Sequence, residues 1–356
     1  MAKITAKELA SRLNLSPSAV SLALNGREGI SEETRAKVLS AAQALGYQLP
    51  RLRSIEASTE SFNICIVYFI DFRVNLLAHS TLASYILQGI EAAAERLGCH
   101  TAVAYVNADR PAAQYAASIL ETADGVIFMG TDIVKENLPI ARALIKQLSR
   151  VPVVMVDNNM LMNEVDCLCN DNLSGARIAI EHLLSQGCRS IGYLRSIPRV
   201  QATEIREQGF RMTMEQHGLT LEPIVDITPF GGNILSSFET WLQTNPVLPD
   251  AFAADHDDLA IAAMQVLIRH GISIPGQVAL IGFDDSSAGK MMVPSLSSVR
   301  TFRQTLGSTA MTCLHQRMSA GANAAIAQQN GLLSITLSTQ LLIRDSSLRK
   351  PGKKKT

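Results

Sequence analysis

Between Ser16 and Asn25 the chain sets small hydroxyls and an amide, Ser16, Ser18, Ser21 and Asn25, together with Leu22, on positions that the apolar stripe of a short helix leaves unused. Side chains of this size donate to phosphate oxygens and reach base edges in a groove, so the chemistry on offer is nucleic-acid contact. Charge points the same way. Residues 1–53 hold eight Lys or Arg against four acids, while the whole chain holds 32 of each. In a chain that is neutral as a whole, one small basic piece would meet phosphates and the remainder would serve another purpose. The alternative is a three-helix module that presents a solvated polar face to a protein.

Elsewhere the residue types do not assemble a catalytic set. There is no G-x-S-x-G elbow, no G-x-x-x-x-G-K-[ST] loop, no HExxH and no G-x-G-x-x-G after the first strand, so an enzyme is not expected and no cofactor is implied. His256 stands among Asp255, Asp257 and Asp258, a cluster of the kind that holds a divalent ion, but the apolar run from Leu259 onward opens a helix and makes them rather its N-terminal cap and dipole partner. Six scattered cysteines lack the spacing of a disulfide framework or a zinc site, and even Cys167 and Cys169, which would share one face of a strand, have no second ligand pair nearby. Reduced thiols and no metal are expected.

The elements that carry these residues can be read from caps and periodicity. Thr5 and Glu8 form a capping box before Leu9, Ala10 and Leu13; Ser16-Pro17 opens a second helix with Ala19, Val20, Ala23 and Leu24 inward; Ser31 opens a third with Val38, Ala41, Ala42 and Leu45 inward. The short connection between the first two makes them cross steeply and leaves the second protruding, which is a helix-turn-helix. From Phe62 the pattern changes to short apolar runs alternating with helical stretches. Strands are expected at 64–70, 101–106, 125–129, 153–156, 190–194, 251–254 and 278–282, with helices such as 85–97, 176–186 and 259–270 closed by Gly98, Gly187 and Gly271. The fold class is therefore a small all-α headpiece followed by α/β, with two doubly wound parallel sheets that repeat one plan and place a cleft at their strand ends. An aromatic content of 5% argues against a sugar-stacking surface spread over the whole molecule. No leader and no membrane-length apolar run are read, so the cytoplasm is expected.

The run ITAKELASRLNLSPSAVSLALNGREGISEETRAKVLSAAQALGY closely resembles the headpiece of the LacI/GalR family of repressors, through Val20-Ser21, Asn25-Gly26, Ser31 to Arg35 and Leu45 to Tyr47. The resemblance implies operator contact by Ser16, Ser18, Ala19, Ser21, Leu22 and Asn25, with Thr5 and Arg27 toward phosphates. Family members continue past the tyrosine with x-Pro-Asn and a hinge helix whose leucine wedges into the minor groove. Here Pro50 is displaced by one, the asparagine is missing, and Glu56 stands where the leucine is expected. Ile55 or Leu52 could be the wedge, with Arg51 and Arg53 on phosphates, or the segment is a plain linker.

The larger part resembles the family's effector domain, itself similar to periplasmic sugar-binding proteins. Its landmarks run in order from Ala123-Asp124-Gly125 through Val151-Pro152-Val153, Gly175-Ala176, Gly209-Phe210 and Gly282-Phe283-Asp284-Asp285 to Leu342-Ile343-Arg344-Asp345-Ser346. The implied effector residues are Asp71, Asp157, Arg206, His256 and Asp284, with Phe69 or Phe230 over the apolar face of a sugar ring. A carboxylate takes two hydroxyls and a guanidinium fork donates to oxygens, and both reject a ligand that leaves them unpaired. Alternatives are an interdomain salt bridge for Arg206, a turn cap for Asp284 and Asp285, and core packing for Phe230. The expected division is headpiece 1–46, hinge 47–61, effector domain 62–345 and basic tail 346–356. Within the effector domain, an N-subdomain takes 62–160 and 291–320 and a C-subdomain takes 161–290 and 321–345. The implied partners are a pseudo-palindromic DNA operator, a sugar or sugar derivative, and a second copy in a dimer. The rivals are a solute-binding transport protein and a sugar-modifying enzyme.

Overall fold

Two compact units make up the chain, Met1–Ser61 and Phe62–Thr356. The computed structural model describes residues 6–13, 15–16, 19–20, 23, 34, 37–38, 41, 61–74, 81–228, 234–244, 246–319 and 331–349. In the first unit, helix α1 (Ala6–Leu13) and the described residues beyond it form a small core of Ala10, Val20, Ala23 and Val38, with Leu13, Leu15 and Ala41 against it. All but Leu15 belong to the three stripes expected from periodicity. Ser16 caps the second stripe as expected: its Oγ accepts from the Ala19 amide at 3.1 Å.

The second unit contains two six-stranded sheets. The first is built from β1 (Asn63–Ile70), β2 (His100–Asn107), β3 (Gly125–Met129), β4 (Val153–Val156), β5 (Asp166–Asn170) and β11 (Ser334–Leu337), in the order β11-β5-β4-β3-β1-β2. The second is built from β6 (Ile191–Ser196), β7 (Leu221–Ile227), β8 (Ala251–Ala254), β9 (Ala279–Phe283), β10 (Ser297–Arg300) and β12 (Gln340–Leu342), in the order β12-β10-β9-β8-β6-β7. All pairings are parallel except that of β12 with β10. Without their last strands the two sheets share one doubly wound order, so the repeat of plan expected from the sequence is real. Strands buried on both faces read as unbroken apolar runs, as in Asn63–Ile70 and Gly125–Met129, which is why they were legible.

Helices cover both faces of each sheet. Over the first lie α2 (Thr81–Leu97), α3 (Ala112–Thr122), α4 (Leu138–Leu148) and α10 (Arg303–Ser319); over the second lie α5 (Asn172–Ser185), α6 (Gln201–Gln216), α7 (Ile234–Gln243) and α8 (Asp257–Arg269), with the short α9 (Ser287–Met291) beside α8. Gly98, Gly187 and Gly271 end their helices at φ of 68°, 85° and 74°, the left-handed cap that a side chain disfavours. A different constraint acts where α2 crosses α10. A Cβ on Gly307 would lie 2.0 Å from the Ile86 carbonyl oxygen, so the two backbones touch.

Three segments cross from one sheet to the other: between β5 and α5, between β10 and α10, and between β11 and β12. They correct the expected subdomain limits. The first sheet runs on past residue 160 to Asn170, because β5 pairs with β4; residues 297–300 stay with the second sheet, because β10 pairs with β9; Ser334–Leu337 returns to the first sheet beside β5. The short strands Asp-Cys-Leu-Cys-Asn and Ser-Ser-Val-Arg lack a β-type pattern, and only their neighbours in space make them strands. The tail limit also moves. Ser346 and Ser347 are fully buried in a 3-10 turn, and Arg349 pairs with Asp250 at 3.5 Å and donates to the carbonyls of Pro275, Gly276 and Gln277.

Candidate ligand-binding site

In doubly wound sheets, ligands bind beyond the carboxyl ends of the strands. Two residues that directly follow strands there have a backbone few non-glycine residues adopt: Asp157 after β4 at φ 65° and Asp284 after β9 at φ 97°, with Asp285 next to it at 55°. Each such residue costs about 1–3 kcal/mol and persists only where surrounding structure over-determines it. Both Asp157 and Asp284 line a cavity of about 800 Å³ between the two sheets.

The carboxylates are held by arginines. On α6, Arg206 donates from Nε to Asn172 Oδ1 at 2.9 Å, from Nη1 to the Asp255 carbonyl and from Nη2 to Asp284 Oδ1 at 3.3 Å. Its guanidinium lies 3.8 Å from the centre of the Phe283 ring. Arg303, the first residue of α10, donates from Nη2 to Asp284 Oδ1 at 3.0 Å and places Nη1 3.5 Å from Asp157 Oδ2. Thr131 and Thr301 hydroxyls complete the two acids at 2.9 Å and 3.2 Å. Asp284 is removed from water, which alone would raise its pKa, yet the charges of Arg206 and Arg303 win and hold it well below the ordinary carboxylate range. One guanidinium therefore joins a carboxylate of the first sheet to a carboxylate of the second.

His256 precedes α8 and lines the same cavity; burial holds its imidazole below the ordinary range, and among the described residues its buried Nε2 has no protein partner. The acids around it are drawn apart. Asp255 accepts from Tyr193, from the amide and hydroxyl of Ser196 and from Arg199, while Asp257 accepts from the Ser286 amide and from the Ser298 hydroxyl at 2.7 Å. Among the described residues no group of three His, Cys, Asp or Glu could hold a metal ion. Asp257 and Asp258 occupy the first turn of α8, the dipole placement weighed for them, although His256 makes no side-chain cap bond.

The structure brings together Asp157, Arg206, His256 and Asp284 and separates two other expected residues from them. Phe69 is fully buried and packs on Phe128 with ring centres 5.8 Å apart, on the face of the first sheet covered by α3 and α4, so it cannot cover a ligand. Its position on β1 decides this, since alternate residues of a strand face opposite ways. Asp71 is buried against Arg73 and Asn137 at 2.7–2.9 Å and lines a neighbouring cavity of about 430 Å³. Arg206 pairs within its own sheet's half of the unit, so the interdomain bridge considered for it belongs to Arg303. The turn after Asp285 is capped by Ser286, whose hydroxyl accepts from Gly289 N at 3.1 Å. Of the expected DNA contacts, Ser16 and Ala19 are described; Thr5, Ser18, Ser21, Leu22, Asn25, Arg27, Arg51, Arg53 and Ile55, like Phe230, lie outside the described residues.

Arg303, Thr131 and Asn172 were not found from the sequence. Arg303 did leave a signal: a cation at the first position of a helix opposes the macrodipole, and a broken local rule marks a residue placed for another reason.

The pattern of the lacI family of bacterial regulatory proteins matches residues 5–49, and that of the periplasmic binding protein-like domain matches residues 180–347. The chain is 28% identical over 309 residues to the HTH-type transcriptional regulator GntR of Pseudomonas aeruginosa, covering 85% of this chain and 86% of that one. It is 24% identical to the HTH-type transcriptional repressor PurR of Haemophilus influenzae over 356 residues, 96% of this chain and 98% of that one. Among solved structures, a complex of the transcriptional regulator CelR with cellobiose aligns with a TM-score of 0.67 at 21% identity, over 97% of this chain and all of that one. The lac repressor dimer bound to operator and the anti-inducer ONPF aligns with a TM-score of 0.67 at 20% identity, over 98% of this chain and all of that one. These likenesses show the fold. Among the described residues no helix is long and apolar enough to cross a membrane.

Proposed function

Because the chain belongs to the lacI family of bacterial regulatory proteins, we propose that it is an operator-binding repressor whose affinity for DNA is set by a small polar ligand. It is a regulator and not an enzyme. The observation that carries the ligand half is the buried set Asp157, Arg303, Asp284 and Arg206, reached from one cavity and spanning both sheets. Sugars suit this set. Hydroxyls donate to carboxylate oxygens and accept from guanidinium N–H, and charge-assisted bonds of this kind are about twice as strong as neutral ones. Tyr85 and Phe302, exposed in the same cavity, take the place expected of Phe69 over the apolar face of a ring.

On this reading two headpieces of a dimer grip a pseudo-palindromic operator in the cytoplasm, through Ser16, Ser18, Ala19, Ser21, Leu22 and Asn25 on base edges and Thr5, Arg27, Arg51 and Arg53 on phosphates. Ile55 is the residue proposed for minor-groove insertion. Ligand binding changes the relation of the two sheets about their three crossing segments, and a ligand shifts this equilibrium only by its difference in affinity for the two states. The relatives' regulation of transcription and the cellobiose bound by CelR support a sugar or sugar derivative as ligand.

The test is a gel-shift assay of the full chain on DNA upstream of its own gene, with and without added sugars. A sequence-specific shift that a sugar alters is the expected result. Absence of any specific shift under either condition rejects the repressor reading. Thermal shift identifies the sugar: at 100 times its Kd a ligand adds roughly 2.7 kcal/mol.

A further inference from the structure

The charges lining the large cavity are unevenly distributed. At its inner end two carboxylates, Asp157 and Asp284, meet two guanidinium groups, Arg206 and Arg303, in balance. At Asp285 three cations share one carboxylate. Arg344 holds Oδ1, while Arg300 Nε and Lys290 Nζ both approach Oδ2, at 2.8 Å and 3.1 Å. Arg344 is largely covered, but Arg300 and Lys290 line the cavity with 38% and 44% of their side chains exposed. Arg300 engages Asp285 through Nε alone, so its terminal nitrogens Nη1 and Nη2 donate to no described protein group. The remaining lining acid, Asp258, is exposed on the first turn of α8 and makes no ion pair with either cation.

Two like charges on one carboxylate oxygen repel each other, and Asp285 alone does not offset both, so a ligand anion beside Arg300 and Lys290 would be favoured. The free fork of Arg300 matches a carboxylate or phosphate in two parallel bonds, and Lys290 adds a point charge. Asp157 and Asp284 at the other end remain acceptors for hydroxyls. We infer that the ligand is an acidic sugar, a polyol bearing a carboxylate or phosphate, with its anionic group at Arg300 and Lys290 and its hydroxyls at Asp157 and Asp284. This rests on the reading of the protein as a sugar-responsive regulator.

The experiment is calorimetric titration of the full chain with matched sets: D-glucose, D-gluconate and D-glucose 6-phosphate, then D-galactose, D-galactonate and D-galactose 6-phosphate. An acidic member should bind at least about tenfold tighter than its neutral parent, and raising salt from about 50 to about 300 mM should narrow that margin. Which acidic arm responds separates carboxylate from phosphate. Arg300→Gln and Lys290→Gln should each weaken the acidic member about tenfold or more and leave the neutral parent unchanged, and Arg300→Lys should recover part of the loss. Both residues are substantially exposed, so a melting curve of each variant distinguishes lost binding from lost fold, and Lys290→Gln alone decides the matter if Arg300→Gln does not fold. Equal or tighter binding of the neutral parents, or an acidic preference that survives the variants, overturns the inference and leaves the regulator reading intact. No binding by any member overturns the inference and the sugar assignment together, while the gel shift continues to test the DNA half.

Discussion

Replacing Asp284 by Asn removes the one anion on which both Arg206 and Arg303 converge while keeping shape and one acceptor oxygen. Asp284 and Arg206 side chains are each only 4% exposed, so water cannot replace the lost charge. Breaking a buried pair by removing one partner costs about 3–5 kcal/mol, because the surviving charge is left uncompensated. Asn tolerates positive φ better than most residues, so strain at φ 97° adds little to the difference. For a unit of this size each kcal/mol lowers Tm by roughly 2 °C, and the variant should melt about 6–10 °C below the parent at neutral pH. The pH dependence is the sharper readout. The folded-state pKa of Asp284 is depressed, so its stabilisation is complete above the unfolded value near about pH 4 and is lost as pH falls toward the depressed value. The gap between parent and variant should therefore be constant from about pH 6 to 8 and shrink on acidification below about pH 4. Differential scanning calorimetry across that range measures it. A loss below about 1 kcal/mol at neutral pH, or a gap unchanged by acid, would refute the claim that the two arginines depend on this carboxylate.

Further expectations follow from the packing. Gly307→Ala pushes a methyl to 2.0 Å from the Ile86 carbonyl oxygen, backbone that cannot swing aside, and urea denaturation should show a loss of about 1–3 kcal/mol or more. Asp257 has the opposite sign to Asp284: desolvation raises its pKa to about 7, so its contribution is largest below its unfolded value and declines as pH rises through about 7. Asp257→Asn should remove that decline, and Tm of the variant measured at pH 5.5 and 8 should change less than that of the parent. Ser347→Ala strips a buried hydroxyl that lies 2.7 Å from both His182 Nε2 and Ser297 Oγ, and calorimetry should show a loss of about 1–3 kcal/mol.

Much of this molecule is written locally. The repeated sheets could be read because strands buried on both faces must be apolar runs such as Ile64–Ile70, and because helices that end against solvent use glycine at Gly98, Gly187 and Gly271. The small core around Ala10, Val20 and Val38 followed from caps and stripes within 46 residues. The division of the larger unit did not. Asp166–Asn170 and Ser297–Arg300 carry no pattern of their own and become strands only because β4 and β9 offer them an open edge. Phe69 and Asp71 show the same limit within the site. Alternation along β1 turns Phe69 into the core, and a residue's face cannot be fixed until its strand's neighbours are known. The carboxylates Asp157 and Asp284 and the guanidinium of Arg206 were nameable as types suited to a polar ligand. That Arg303 joins the two acids depended on the chain returning from β10 to the first sheet, a step set by long-range packing. Local periodicity and capping chemistry determined which elements form; the crossing of three segments between the sheets decided which charges meet, because a charge pair is settled by distance in space and not by distance along the chain.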